Sequence, residues 1–503
     1  MSFSRASGVL LHPTSLPGPH GSGDLGPAAY HFVEWLAAGG QRLWQILPLG
    51  NIGPGDSPYM STSAFAGNVL LVDLGELRER GWLDEGDVAP PATRDEHRID
   101  FEAVIPWRME RLARAARRFG EQATIEERAD LSAFRARHAS WLSDFSLFMS
   151  LTEHVGAGGD SDWCDWDPPL ATRDPAALAA ASAQHASRMA FWEFCQWCFF
   201  RQWLRLRAYA NERGVRIVGD VPIFIAHHSA ECWARPELFE LDAAGRQTVV
   251  AGVPPDLFSA TGQHWGNPLY RWPAHASENY AWWIERIRRT FELVDIARID
   301  HFRGFVAYWE IPASEPTAMN GRWVPGPGEA LFDAVTAALG PLPIIAEDLG
   351  IITPDVDALR RKLSLPGMRI LQFAWGQPDG NANRYLPHNY SRDTVCYSGT
   401  HDNDTTIGWW ASEAESVRDH LRQYLSTDAY DIAWDLIRGA FASVADTAIV
   451  PMQDVLRLSG AHRMNFPGIG RGNWGWRFTW ADVGPEPAAG LRRMAGLYRR
   501  LGD

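Results

Sequence analysis

The chain has 503 residues, 46% hydrophobic, 21% charged and 12% aromatic, with a formal net charge of −14 at pH 7. This composition buries a large core and excludes wholesale disorder. The acidic balance excludes a general electrostatic pull toward nucleic acid or anionic lipid.

At roughly 150 residues per domain the length fits about three domains, or one α/β barrel of ~250 residues with long insertions. The start of the chain, Met1 to Ser7, lacks the basic segment and the ~7–15 apolar residues of a signal peptide. No apolar run approaches ~18 residues, so no membrane helix is expected. The five cysteines are odd in number and too few for a disulfide framework. A reduced, cytoplasmic setting is therefore expected. Lys362 is the single lysine among 47 Lys and Arg residues, and no glycine-rich loop precedes it, which excludes a Walker A site.

Eight short apolar runs follow in order, at 8–11, 43–47, 215–218, 294–299, 344–346, 368–373, 394–397 and 448–452. They are nearly continuous rather than alternating, as in parallel strands buried on both faces. Helical patterns at 27–36 and 355–363 follow two of them, the second opened by Thr353-Pro354. Eight β-then-α units predict a (β/α)8 TIM barrel, one catalytic unit over 1–503. Helical patterns at 102–119, 131–153 and 175–211 predict a large, mainly helical subdomain inserted at 51–213, after the second strand. Cys195 and Cys198 lie on its aromatic stretch 191–200 and read as two buried thiols. Residues 225–290 predict a second, loop-rich insertion after strand three, a lid. Its Gly252-Val253-Pro254-Pro255-Asp256 and Gln263 to Pro268 segments have loop composition. Loops over the C-terminal mouth of a barrel are where substrate is gripped.

Four of these strands end in carboxylates: Asp220, Asp300, Glu347 and Asp402. Gathering acids on one face is unfavourable unless compensated, so function explains it better than helix capping, a reading that suits Asp348 and Asp404. Arg298 and Asp300 are two apart on a strand and share a face, so the guanidinium favours an ionised Asp300. Glu347 follows Ile344, Ile345 and Ala346, surroundings that raise a carboxyl pKa and suit a general acid. A nucleophilic carboxylate beside a protonated carboxyl is the apparatus of retaining glycoside chemistry. The 24 Trp, 12 Tyr and 23 Phe fit this, because flat sugar faces stack on rings. Tyr59, Trp265 and Trp323 fall in predicted loops, whereas Trp192, Trp197 and Trp203 read as core.

Three patterns are set aside. Gly21-x-Gly23-x-x-Gly26 matches a dinucleotide fingerprint, but it lies beyond Pro13, Pro17 and Pro19, far past its strand. His227-His228 lacks metal-ligand spacing, since adjacent residues on extended chain point opposite ways. His401-Asp402-Asn403-Asp404 lacks the helical histidine partners of a metal phosphohydrolase. Neither a metal nor an organic cofactor is implied.

Taken together, the segments Arg298 to Gly304, Ala346 to Gly350, Gly219 to Ile223 and Gly399 to Asp402 resemble the 4-α-glucanotransferases. These amylomaltases, or disproportionating enzymes, belong to the α-amylase clan. More specific are Ser57-Pro58-Tyr59, Ser63 to Asn68, and Gly252–Asp256 leading into Gln263 to Pro268. The resemblance runs from about Ser7 to about Arg477. It implies that Asp300 is the nucleophile, Glu347 the acid–base, and Asp402 the group that grips and distorts the sugar beside the scissile bond. It further implies that Arg298, His301, His401 and Asp220 hold Asp300 and that sugar. Tyr59 would stack on the ring, Gln263 and Trp265 would contact the acceptor, and the Gly252–Asp256 loop would arch over the groove. Met464 to Gly468 and Asn473-Trp474 look like further family features, with Ile469 where a small polar residue is expected. An N-terminal carbohydrate-binding extension is not expected.

The implied activity moves α-1,4-glucan segments between maltooligosaccharides by double displacement, in disproportionation, with cyclisation of long glucans as an open extension of it. A retaining α-glucan hydrolase with the same carboxylates is the alternative. A non-catalytic glucan-binding barrel is disfavoured by the presence of all three acids. No nucleic-acid or membrane partner is implied, and a monomer is compatible with the sequence.

Overall fold

The computed structural model describes residues 4–90, 95–155, 162–255, 259–376 and 380–502. Its strands are β1 (Ala6–Leu10), β2 (Leu43–Gln45), β3 (Arg216–Val221), β4 (Val249–Val253), β5 (Gln263–Pro268) and β6 (Ile296–Ile299). They continue as β7 (Ala307–Pro312), β8 (Arg322–Pro325), β9 (Ile344–Ala346), β10 (Gly367–Ile370), β11 (Thr394–Tyr397) and β12 (Thr447–Pro451).

Eight of them form one parallel sheet, in the order β10-β11-β12-β1-β2-β3-β6-β9. The ends meet where the Ala346 N–H donates to Pro366 O at 3.0 Å, so the sheet curls into a (β/α)8 barrel. Each of the eight predicted runs holds one of these strands. The run at 368–373 is shorter as strand, because Leu371–Phe373 turns into a 3-10 helix. Across the interior, buried Tyr397 Oη donates to Gln45 Oε1 at 2.8 Å. The barrel centre is therefore packed with side chains and is no pore.

Helices at Phe101–Gln122, Ile125–Arg137, Leu142–Val155, Pro175–Gln184 and Ala186–Glu212 lie between β2 and β3. The pattern at 131–153 is two helices, because the chain turns at 138–141 and lets both Phe134 and Trp141 bury. The pattern at 175–211 is likewise broken, at His185. On Ala186–Glu212, Trp192, Trp197 and Trp203 are core, and burial pushes the Cys195 and Cys198 thiols up. The Gly21–Gly26 segment is a structural turn: buried Asp24 pairs with buried Arg108 at 2.9 Å and accepts the Gly26 N–H at 3.1 Å.

The insertion after β3 is not all loop. It supplies β4 and β5, which join β7 and β8 in an antiparallel sheet ordered β5-β4-β7-β8. Gln263 and Trp265 therefore stand on a strand, as does Trp323 on β8. His227 and His228 do not diverge. The chain bends into the helix Ala230–Ala234, and both Nδ1 atoms reach Asp162, at 3.0 and 2.9 Å. Asp256, at the tip of the Gly252–Asp256 segment, lies outside the described residues. Among the described residues no helix is long and apolar enough to cross a membrane.

Candidate active site

Strand register places the acids. β3 and β6 pair with Asp220 opposite Arg298, and β6 and β9 pair with Ile299 opposite Ala346. Asp300 and Glu347 therefore leave adjacent strand ends at the same level of the barrel mouth. Arg298 points inward between its neighbours. Its guanidinium donates to both oxygens of Asp220, at 2.6 and 2.7 Å, and to Asp300 Oδ1 at 2.8 Å. Burial opposes the charge on Arg298, but Asp220 and then Asp300 overcome that cost and hold it a cation. The two carboxylates differ in access: the Asp220 side chain is fully buried, whereas that of Asp300 is 31% exposed. Asp300 is the one a substrate can reach.

Glu347 is buried, and no guanidinium donates to it among the described residues. Its Oε2 accepts the His301 N–H at 2.8 Å and its Oε1 the Leu349 N–H at 2.6 Å. Burial, then repulsion from Asp300, outweigh Arg298 and the Leu349 bond and push its pKa up to about 8. At neutral pH it is mostly protonated. His301 turns its N–H toward this carboxyl by adopting φ 51°, a left-handed conformation held at order of 1 kcal/mol or more against a non-glycine residue's preference. Burial lowers the His301 imidazole to about 4, so the ring is neutral, and its Nε2 has no hydrogen-bond partner among the described residues.

A second group gathers after β11. The Tyr59 hydroxyl donates to Asp220 Oδ2 at 2.7 Å and lies 2.8 Å from His401 Nε2. Since Tyr59 has one proton, His401 Nε2 is the donor in the second bond. Burial and then Asp220 push the phenol far above its ordinary pKa, so Tyr59 keeps its proton. Its ring stacks on His401 at 5.3 Å and 18°. Asp402, half exposed, lies 3.4 Å from His401 and accepts from Asn465 Nδ2 at 2.7 Å. On β5, Trp265 meets His301 edge to face at 4.9 Å and donates to Gln263 Oε1 at 3.1 Å. Asp220, Asp300, Glu347, Asp402, Arg298, His301, His401, Tyr59, Gln263 and Trp265 thus come together, although they span residues 59 to 402.

Some readings need revision. Asp348 caps no helix: it accepts from the Met368 N–H at 2.7 Å, from Arg369 at 3.1 Å and from Arg384 at 2.9 Å. The helix Thr406–Ser412 is capped by Thr405 rather than Asp404. Trp323 packs on Trp309 and on the buried Arg303 guanidinium, 3.8 Å from its ring. Three contributors have no role that a local pattern gives, although Asn465 and Trp474 lie in segments that look like family features. Asn465 holds Asp402 across 63 residues, and Trp474 flanks Tyr59 at 5.7 Å. Buried His12, lowered to about 3 by burial and by His401, is the third. Only the fold brings these three to the site.

Three comparisons agree with this geometry. A family model described as 4-alpha-glucanotransferase matches residues 11–482. The 4-alpha-glucanotransferase of Thermus thermophilus is 50% identical over all of both chains. That of Synechocystis is 46% identical over 99% of each. The solved structure of an amylomaltase from Streptococcus agalactiae, in complex with acarbose, superposes with a TM-score of 0.95 at 38% identity, over 99% of each chain.

Proposed function

The chain belongs to the 4-alpha-glucanotransferase family, and from that premise we propose how its residues share the work. The enzyme moves α-1,4-glucan segments from donor to acceptor with retention. Glu347 protonates the departing glycosidic oxygen while an Asp300 oxygen attacks C1, giving a β-glucosyl ester on Asp300. The freed sugar leaves. The 4-hydroxyl of an acceptor then attacks C1, loses its proton to the Glu347 carboxylate, and regains the α-linkage as the ester bond breaks.

The observation that carries this reading is the pairing of two unlike carboxyls on adjacent strand ends. One is gripped by Arg298 and reachable; the other is buried, protonated and oriented by the backbone of the residue that follows its partner. Asp402, oriented by Asn465, binds the hydroxyls of the sugar at the scissile bond. Tyr59 stacks on that ring, while Asp220, Arg298 and His401 fix Tyr59 and Asp300. The unpartnered Nε2 of His301 is left for a sugar hydroxyl. Trp265 and Gln263 line the acceptor side, and Trp265 over His301 keeps water from the ester until an acceptor arrives.

Residues 51–213 and 225–290 act as a brace and a lid on one barrel, 1–503. All these residues come from one chain, so a monomer suffices. The five free cysteines fit a reduced, cytoplasmic setting. Maltooligosaccharides are the expected substrates.

The test is purified protein with maltotriose alone, following product lengths and reducing ends. Longer chains plus glucose at constant reducing ends is the expected result. Rising reducing ends without longer chains would instead mean hydrolysis.

A further inference from the structure

The loop that carries Tyr59 has little behind it. A cavity runs along its inner side, lined by Tyr59, Ser61, Ser63, Ala64, Asp220 and Arg286. The Tyr59 ring packs on His401 and Trp474 on its other side, and hydrogen bonds hold the loop itself. At its far end the segment is held firmly, where Gln196 exchanges two bonds with the Gly67 backbone at 2.8 Å each. Between Tyr59 and Gly67, Asn267 Nδ2 reaches Met60 Sδ at 3.5 Å and Arg289 Nε donates to Phe65 O at 3.3 Å, and the central anchors come from the start of the lid insertion. The Ala230 N–H donates to Thr62 O at 2.9 Å. Next to it, buried Glu231 takes two donors: Ser63 Oγ at 2.5 Å and the Ala64 N–H at 2.9 Å. Ser63 Oγ in turn accepts the N–H groups of Phe65 and Ala66, at 3.1 and 3.0 Å.

A carboxyl is an awkward group to bury for structure alone. Burial pushes Glu231 up to about 7, against the two donors and the more distant Arg286 on the helix Ala281–Leu293. A neutral side chain would avoid that cost. A carboxyl can, however, span two donors at once, and it binds them more strongly than an amide when ionised.

We propose that Glu231 is a positioning residue, which fixes Tyr59 over Asp220 and His401 by clamping Ser63 and Ala64 to the base of the lid. It touches no substrate and acts through Tyr59, so the proposal rests on the role assigned to Tyr59 above. It also couples two insertions, since the clamp joins the loop after β2 to the segment after β3.

The test is steady-state transfer from maltotriose by the full chain carrying E231Q, E231A, Y59F or E231Q with Y59F, with melting temperatures alongside. Loss of two clamp bonds in E231A is expected to lower kcat/KM by roughly 10–100-fold, mostly through kcat. E231Q keeps the shape and one acceptor. It should match the wild type near pH 6, where Glu231 is itself neutral, and fall a few-fold behind by pH 8. If E231A does not fold, E231Q and S63A carry the test. E76Q, which disturbs a remote buried ion cluster, controls for simple loss of stability.

The double variant decides the mechanism. Acting through Tyr59 makes the effects of E231Q and Y59F less than additive. Additive effects overturn the proposal, as does an E231Q enzyme with a lowered melting temperature but unchanged kcat, KM and pH profile. If Y59F alone is fully active, the role of Tyr59 fails instead, and the two failures are thereby told apart.

Discussion

Glu347 at the barrel mouth and Glu76 on the flank are the same residue type, exposed to 8% and 9%. Burial pushes both upward, yet they end on opposite sides of the ordinary glutamate range. Glu76 accepts from Arg80 at 2.9 Å, Arg201 at 2.8 Å and Arg205 at 2.6 Å, and these outweigh burial and lower its pKa. Glu347 has two backbone donors, no guanidinium bonded to it and Asp300 beside it, and rises to about 8. Burial alone does not set the charge of a carboxyl; the partners do. Arg298 could have neutralised Glu347, but its donors are spent on Asp220 and Asp300.

The largest expected effect comes from removing either member of the proposed catalytic pair. Glu347→Gln should lose on the order of 10²–10⁴ of the turnover on maltotriose from acid–base work alone. Asp300→Asn should be at least as damaging, and a covalent sugar trapped on any other residue would remove Asp300 from its role. Next comes Arg298→Met, which strands buried Asp220. It should cost about 3–5 kcal/mol in denaturant unfolding and most of the activity. If activity and stability persist, Arg298 is not what holds the two aspartates.

Smaller effects test the contrast in charge. In the proposed reaction Glu347 starts protonated, so kcat/KM should fall as pH rises through about 8. Its raised pKa also acts on stability. Between about 4.5 and 8 the unfolded chain ionises Glu347 while the folded chain does not, so the folded state binds more protons. Stability is then lost with rising pH, at up to about 1.4 kcal/mol per unit from this group. Glu347→Gln should therefore melt higher than the wild type at pH 8 and equally near pH 4. Glu76 has the opposite sign: its contribution is present above the unfolded pKa and lost as pH falls through its lowered one. Glu76→Gln should lower stability at pH 7 by on the order of 1–3 kcal/mol, leaving kcat/KM unchanged. A change in kcat/KM for Glu76→Gln would mean that the flank cluster is coupled to the site.

Much of this was legible in the residues. A parallel strand buried on both faces reads as an unbroken apolar run, and the residues at its end face the mouth, so Asp220, Asp300 and Glu347 stood out. Asp402 reads as a strand end too, but it lies in the turn beyond β11, which ends at Tyr397. β4 and β5 did not. Gln263 to Pro268 has no apolar alternation, and its sheet depends on β7 and β8, which lie beyond β6 in the chain. His227 and His228 do not diverge as residues on extended chain would, because the chain bends there into the helix Ala230–Ala234 and both rings reach Asp162. Asn465 and Trp474 lie in segments that look like family features but whose role no local pattern gives, and His12 carries no local pattern at all.

The sequence by itself determined the eight parallel strands of the barrel and the type of the groups near their ends, because hydrophobic periodicity and the i, i+2 rule are local. Only the tertiary structure decided which carboxyl keeps its proton and which one substrate can reach. Those properties depend on burial and on partners from β3, β6 and β9, whose spacing no single segment encodes.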